Sequence, residues 1–510
     1  MAAIDTTPGT GSLPAVPRTT APGATPKLGP RESRVIWLLL AAAFVAILNE
    51  TTMGVAIPHL ITDLGITALS AQWLTTAFML TMAVVIPITG FLLRRFTTRT
   101  MFVAAMGLFS TGTLLAFLSP GFPMLLVARV VQASGTAIMM PLLMTTLMTV
   151  VPAAIRGRMM GRVSIVISLA PAIGPTLAGA ILNNFEWRWI FGMVLPIAIV
   201  ALVVGARWIH NLGETTHARI DVLSVILSAL GFGGLVFGLS QLGAGGHGGG
   251  ADAAAASAAS TTTLVVSLSV GVVALGLFGW RQLVLQRKDD ALLDLRVFRS
   301  ANFSLSIGQM AIMSMAFFGA ITVVPLYVQD VLQVDPLTTG LVVLPGALAM
   351  GLAGPFIGRI YDRWGTTVLL VPGAVITSAM LWFYTTFGSE TPVWLVAVAQ
   401  TVLSIGLALS FTPLFTASLA SLQPKFYSYG SAVVGTVQQV AGAAGIALMF
   451  GVMAAATAGA ISSGADEVAA GAAGTHAAFL TAAFLSLPML VGAFLIRKPA
   501  DQPMGVPTAH

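Results

Sequence analysis

GFLLRRFTTRT, residues 90–100, returns in altered form as GRIYDRWGTT, residues 358–367. Each copy opens on a glycine, Gly90 or Gly358. Each carries a basic residue five positions later, Arg95 or Arg363, and makes a short basic turn between two long apolar runs. The first copy follows the second apolar run of the chain and the other follows the tenth, an offset of eight runs. Two six-helix halves alone would give an offset of six. The excess predicts a 6+2+6 plan, with two helices inserted between parallel halves, and repeats of this kind are a recurrent secondary-transporter architecture.

The apolar runs are long enough to cross a membrane. A hydrocarbon core about 30 Å thick needs roughly 20 apolar residues of helix at about 1.5 Å per residue. Fourteen such stretches are present: Val35 to Pro58, Ala71 to Leu93, Met101 to Leu118, Met124 to Val150, Met160 to Leu182, Trp189 to Ile209, Val222 to Leu242, Thr263 to Leu285, Phe303 to Val328, Thr339 to Ile360, Val368 to Phe387, Val393 to Thr416, Gly430 to Ala455 and Ala477 to Ile496. The expected fold is therefore an all-α integral membrane bundle. It divides into a tail at 1–34, a six-helix half at 35–209, the inserted pair with its linkers at 210–300, a second six-helix half at 301–497, and a tail at 498–510. Residues 243–260, rich in Gly and Ala, read as a flexible linker between the inserted helices, with His247 as a solvated loop residue.

Composition excludes most other classes. The chain has 510 residues, of which 56% are hydrophobic and only 8% charged, against about a quarter charged in soluble domains. Cysteine is absent, so there is no disulfide, thiolate metal site or cysteine nucleophile. The net charge of +6 is distributed by loop and does not point to nucleic acid. Arg31, Arg34, Arg94, Arg95, Arg99, Arg156, Arg158, Arg162, Arg207, Arg219, Arg281, Arg287, Lys288, Arg296, Arg299, Arg359, Arg363, Lys425, Arg497 and Lys498 fall at the ends that follow an even number of spans. The other loops hold mostly acids, with Arg188 the basic exception. By the positive-inside rule, both termini are expected in the cytoplasm of a cell (inner) membrane. No metal-ligand spacing, Walker A sequence or paired carboxylates occur, so no cofactor or metal is expected and an enzymatic or ATP-driven reading is disfavoured.

Ionisable residues inside spans are functional candidates, because burying a charge in a bilayer costs about 2.5 to 3.5 kcal/mol on the lenient scale. Glu50 in span one and Arg129 in span four are expected at similar depth, where they could meet across the bundle interior. Burial favours the neutral acid and a nearby guanidinium favours the carboxylate, so such a pair can take up and release a proton. The alternative is a static ion pair that fixes helix register. Gln132 lies one turn from Arg129 and could satisfy one of its donors. Asn49, Gln132, Gln309, Gln438 and Gln439 are candidates to line a substrate cavity, with Gln400 beside them. Interhelical hydrogen bonding is the alternative for each. Trp73, Phe78, Phe317, Phe318, Met139 and Met140 could face an amphipathic substrate or simply pack.

In span five, LAPAIGPTLAGA places Pro171, Gly174, Pro175 and Gly179 where small residues allow close approach and prolines bend the helix. This reads as a packed hinge.

Taken together, LNETTMGVAIP at 48–58, LARVVQASGTA around Arg129, the Gly174–Pro175 segment, QWLTTAFML at 72–80 and the glycine-rich span thirteen resemble the major facilitator superfamily. The resemblance is to its fourteen-span drug:proton antiporter branch. LNET, FTTRT and GTVQQVAGA are most similar to lincomycin-resistance-type exporters. It implies export of amphipathic drugs in exchange for protons by alternating access, with the chain acting as a monomer. It also implies that Gly90, Arg95, Arg99, Gly358, Asp362 and Arg363 form a cytoplasmic gate. The chain departs from the pattern where Asn49 replaces the usual acid, which moves to Glu50, and where Arg94 replaces the first-turn Asp. An exporter of an endogenous metabolite, lipid or peptide is the runner-up.

Overall fold

The computed structural model describes residues 28–211, 220–244 and 253–497. Its helices are α1 (Pro30–Leu64), α2 (Ala68–Arg95), α3 (Thr98–Phe117), α4 (Phe122–Val150), α5 (Arg156–Leu182), α6 (Arg188–Trp208), α7 (Val222–Ala244), α8 (Ala253–Leu285), α9 (Ala301–Leu326), α10 (Pro336–Trp364), α11 (Thr367–Tyr384), α12 (Val393–Ala420), α13 (Tyr427–Ser462) and α14 (Glu467–Leu495). Among the described residues, all fourteen are long and apolar enough to cross a bilayer, and there are no strands.

Several helices overrun the apolar runs that mark them, because polar caps and good helix formers extend a helix beyond its hydrophobic segment. α1 starts at Pro30, whose missing N–H costs nothing at a first helical position, and Glu32 accepts a hydrogen bond from the Gly29 backbone at 2.9 Å. The expected linker at 243–260 is corrected at both ends. α7 runs to Ala244 and α8 begins at Ala253, in an alanine-rich stretch with high helix propensity. His247 and the tails at 1–27 and 498–510 lie outside the described residues.

α1 to α6 form one packed group and α9 to α14 another, with α5 and α10 packed most extensively on each other across the two, and α7 pairs with α8. α7 alone of that pair is braced on both groups, against α2 and α13. The two groups meet through α5 with α10 and α12, and through α2 and α4 with α13.

The groups are joined at the end of the bundle that carries the basic turns. Gly157 and Gly161 of α5 face Gly354 and Gly358 of α10, so each helix presents two glycines one turn apart. A β-carbon added at Gly354 would stand 2.5 Å from the Gly161 carbonyl oxygen, and one at Gly157 would stand 2.6 Å from that of Gly358. Only hydrogen at these positions permits the crossing, and bare-backbone contact of this kind is a main source of helix adhesion in a bilayer. Around it, Ser164 and Thr412 hydroxyls pair at 2.6 Å, and those of Thr145 and Ser431 at 2.7 Å.

Candidate functional site

Arg129 is almost wholly buried within the first group, 1% exposed. Its Nη1 donates to Gln132 Oε1 at 2.7 Å, its Nε points at the Leu74 carbonyl oxygen at 3.5 Å, and its guanidinium carbon stands 4.1 Å from the centroid of the Phe78 ring. Gln132 in turn donates through Nε2 to Thr113 Oγ1 at 2.8 Å, and Thr113 donates to the Phe109 carbonyl at 2.7 Å. The network is possible because Gly112 of α3 lies against α4, where a β-carbon would come within 2.5 Å of the Gln132 backbone nitrogen. A charge this deep needs its donors occupied, and these neutral partners take two of the five.

Glu50 lies within electrostatic range of Arg129 but is not bonded to it. The carboxylate is half-buried, and no hydrogen bond to it is found among the described residues. One turn along α1, Gly54 is exposed and a β-carbon there would meet nothing within 4 Å. The two residues expected at similar depth thus face each other through space, with no ion pair between them among the described residues. The guanidinium is instead engaged by Gln132, the Leu74 carbonyl and Phe78.

Other candidates separate by burial. Asn49 is fully buried, and neither side-chain polar atom has a partner among the described residues. Gln132 is also fully buried and is committed to Arg129 and Thr113, so it does not line a cavity. Gln309 donates to the Met489 carbonyl at 2.9 Å and fills the space beside Gly492, and Gln400 accepts from the Tyr384 hydroxyl at 2.7 Å. Both are interhelical or packing contacts. Gln438 and Gln439 remain half-exposed with no hydrogen bond among the described residues. Of the aromatic set, Trp73 stacks on Phe237 of α7 at 5.7 Å and Phe317 packs edge-on against Phe411 at 5.7 Å. Phe318 covers Gly442 of α13, Met139 is buried and Met140 is half-buried.

The span-five segment is close-packed at one point. Gly174 faces Thr51 of α1, next to Glu50, with no room for a side chain, and Ala178 is buried a turn later. A β-carbon added at Gly179 would meet nothing within 4 Å, Pro175 is exposed and Pro171 is half-buried. Close packing thus belongs to the Gly174 side of the helix alone.

At the basic end the two copies of the repeated turn dock in equivalent places with opposite chemistry. Asp362 accepts hydrogen bonds from the backbone N–H of Gly157 at 2.7 Å and of Arg158 at 2.9 Å, so a carboxylate from the second group caps the amino end of α5. That is the favoured charge for a helix amino terminus. In the first copy, Gly90 packs on α13 near Ser428, Tyr429 and Ala432. Arg94 stands where the acid would be, and a cation cannot cap a helix amino end. It donates instead to the Tyr429 hydroxyl at 3.0 Å and lies over that ring at 5.1 Å. Tyr429 passes the contact on by donating to the Ala291 carbonyl at 3.1 Å.

Ala291 belongs to the connector between α8 and α9, where Ala291, Leu292, Leu293 and Val297 are all buried. The connector is pinned by Gln282, which accepts from the Leu293 backbone at 3.1 Å, and by Arg296, which bonds Asp294 and Asp289. Of the remaining turn residues, Arg95 lies over Phe96 and Arg363 over Trp364, and Arg99 lines a surface cleft with Arg207 and His210.

A model of the Major Facilitator Superfamily matches residues 39–446. The chain belongs to this superfamily. It is 40% identical over 468 residues to the uncharacterized MFS-type transporter YcnB of Bacillus subtilis (strain 168), covering 92% of this chain and 95% of that one. It is 38% identical over 466 residues to the lincomycin resistance protein LmrB of the same organism, covering 90% and 95%. Among solved structures, the human organic anion transporter MFSD10 superposes with a TM-score of 0.62 at 13% identity, over 91% of this chain and all of that one, a likeness of fold.

As a superfamily member the chain is a multi-span membrane transporter and not an enzyme. Two of its features escaped the sequence reading. The facing glycine pairs of α5 and α10 were open to detection, since both are spaced by four residues at or beside an apolar run. The roles of Phe78 and Thr113 were not, because nothing local marks an aromatic or a threonine as the support of a charge two helices away.

Proposed function

We propose that this transporter exports amphipathic small molecules, lincosamide-type antibiotics among them, in exchange for protons by alternating access. The observation that carries the reading is the state of Glu50. It is a half-buried carboxylate at membrane depth, with no hydrogen-bond donor among the described residues and a fixed guanidinium nearby. An acid so placed can change protonation as its surroundings change, which coupling to a proton gradient requires. Support for the cargo class comes from the lincomycin resistance relatives.

With both termini in the cytoplasm, the glycine crossing and the Asp362 cap close the cytoplasmic side. Cargo and protons then meet the Glu50 region from outside. Gln438 and Gln439, without a hydrogen bond among the described residues, are the polar groups we assign to the cavity. The test is efflux of lincomycin from vesicles with an imposed pH gradient. Glu50→Gln should abolish gradient-driven transport while leaving expression intact; undiminished transport would move the proton site elsewhere.

A further inference from the structure

Arg129 carries a full charge and five N–H donors, yet every partner named for it is neutral. Only Oε1 of Gln132 can accept from the guanidinium, and Thr113 braces the amide in that orientation. The Thr113 hydroxyl spends its proton on the Phe109 carbonyl, so only its lone pairs remain for Gln132 Nε2, and Oε1 is turned to the guanidinium. Phe78 closes one face of the guanidinium with its ring, an attraction that strengthens when water is excluded.

We propose that Thr113 and Phe78 are positioning residues for proton exchange at Glu50: by fixing Arg129 on neutral partners, they hold the guanidinium off the carboxylate. The proposal rests on Glu50 being the proton carrier. Its physical content is that a charge-assisted bond from Arg129 would be roughly twice as strong as a neutral one and would lock the acid in its ionised form. Through-space attraction without a bond stabilises the ionised form and still lets the proton return.

Among the described residues, no other charged side chain on the packed elements competes for this role. α1 packs against α2, α4, α5 and α6. On α2 the charges are Arg94 and Arg95, at the basic end. On α5 they are Arg156, Arg158 and Arg162, of which Arg162 lies over Trp37. On α6, Arg188 is committed to the Ser119 carbonyl and the Trp187 ring, and Arg207 is in the last turn. On α1 itself, Arg31, Glu32 and Arg34 are in the opening turns, while His59 and Asp63 lie at least nine residues beyond Glu50, about 13 Å along the helix. Arg129 is the charge on α4.

The experiment titrates Glu50 directly and needs no cargo. Full-length protein in lipid vesicles is followed by infrared difference spectroscopy, and the protonated-carboxyl C=O band of Glu50 is identified by its loss in Glu50→Gln. In Thr113→Val the amide nitrogen of Gln132 loses the acceptor that braces it, and in Phe78→Leu the ring face is gone. Either change releases the guanidinium toward the acid, so the band should titrate at a pH lower by about one unit, a tenfold change in proton affinity. Thr113→Ser, which keeps the hydroxyl, should titrate as the wild type does. A midpoint that stays in place in folded Thr113→Val or Phe78→Leu, or moves alkaline, overturns the positioning role and leaves the proton carrier standing. If Glu50→Gln removes no titrating band, the proton-carrier reading fails first and takes this one with it.

Discussion

The Asp362 carboxylate sits 2.7 Å from the Gly157 backbone nitrogen, so the amino end of α5 is capped by a residue of the other helical group. A cap normally comes from the residue just before the helix, and α5 has Ile155 there with no side-chain hydrogen bond. The helix is therefore complete only while the two groups are in contact at this end.

Asp362→Asn keeps one acceptor but loses the charge, and Asp362→Ala loses both. The chain has no native cysteine, so Thr145→Cys with Ser431→Cys gives a clean crosslinking pair between the same two groups, across α4 and α13. Crosslink yield should fall at least about twofold in Asp362→Ala and less in Asp362→Asn, in keeping with the roughly 1 kcal/mol of a typical helix cap. Equal yields in all three backgrounds would show that the cap does not hold the groups together.

Gly354→Val places a branched side chain where 2.5 Å separates a β-carbon from the Gly161 carbonyl. The α5–α10 crossing cannot form at that distance. Gradient-driven efflux should drop at least about tenfold and the crosslink above should disappear, while Gly276→Val, on the open face of α8, should behave as wild type. Retained efflux in Gly354→Val would mean the crossing is not needed in the transport cycle.

Arg129→Ala leaves the Gln132 oxygen without its donor and opens a cavity under Phe78. A buried acceptor and a void together cost about 3 kcal/mol. Thermal unfolding in detergent should fall by several degrees, and Arg129→Met, which fills the volume, should recover part of the loss. An unchanged unfolding temperature for Arg129→Ala would show that the network does not contribute to stability.

Asp221, just before α7, bonds Arg281 of α8 with both oxygens, at 2.6 and 2.7 Å. The hydrogen bonds from Arg281, with help from Ser224, hold its carboxyl at about 2, below the usual 3.8. A group depressed in the folded state stabilises it above the unfolded value, and that contribution is lost as pH falls from about 4 through 2. Asp221→Asn should therefore be less stable than wild type by about 1 to 2 kcal/mol at pH 7, allowing for partial exposure, and the gap should close toward pH 2. A gap independent of pH would assign the effect to packing instead.

Much of the architecture was legible because membrane helices are marked by hydropathy, and the turns at Gly90 and Gly358 are marked by composition. Boundaries were less so. Ala253–Ser260 reads as linker by composition, yet the same alanines propagate a helix once α8 has formed. In the site, Glu50 and Arg129 announce themselves as charges in apolar runs. The partners of Arg129 do not, because Gln132, Phe78 and Thr113 are brought around it only by the packing of α2, α3 and α4. Gln309 and Gln132 illustrate the converse, as polar residues in spans whose partners are internal.

Tyr429 touches three separate pieces of chain: Arg94 at the end of α2, its own helix α13, and Ala291 in the connector that follows α8. α2 and α13 belong to opposite groups, and the connector is bolted to the α7–α8 hairpin through Gln282. If the basic end parts between α2 and α13, this tyrosine can stay with at most one neighbouring group. The extra hairpin is consequently no bystander to such a movement: it must either ride with α13 or surrender its hold on that hydroxyl.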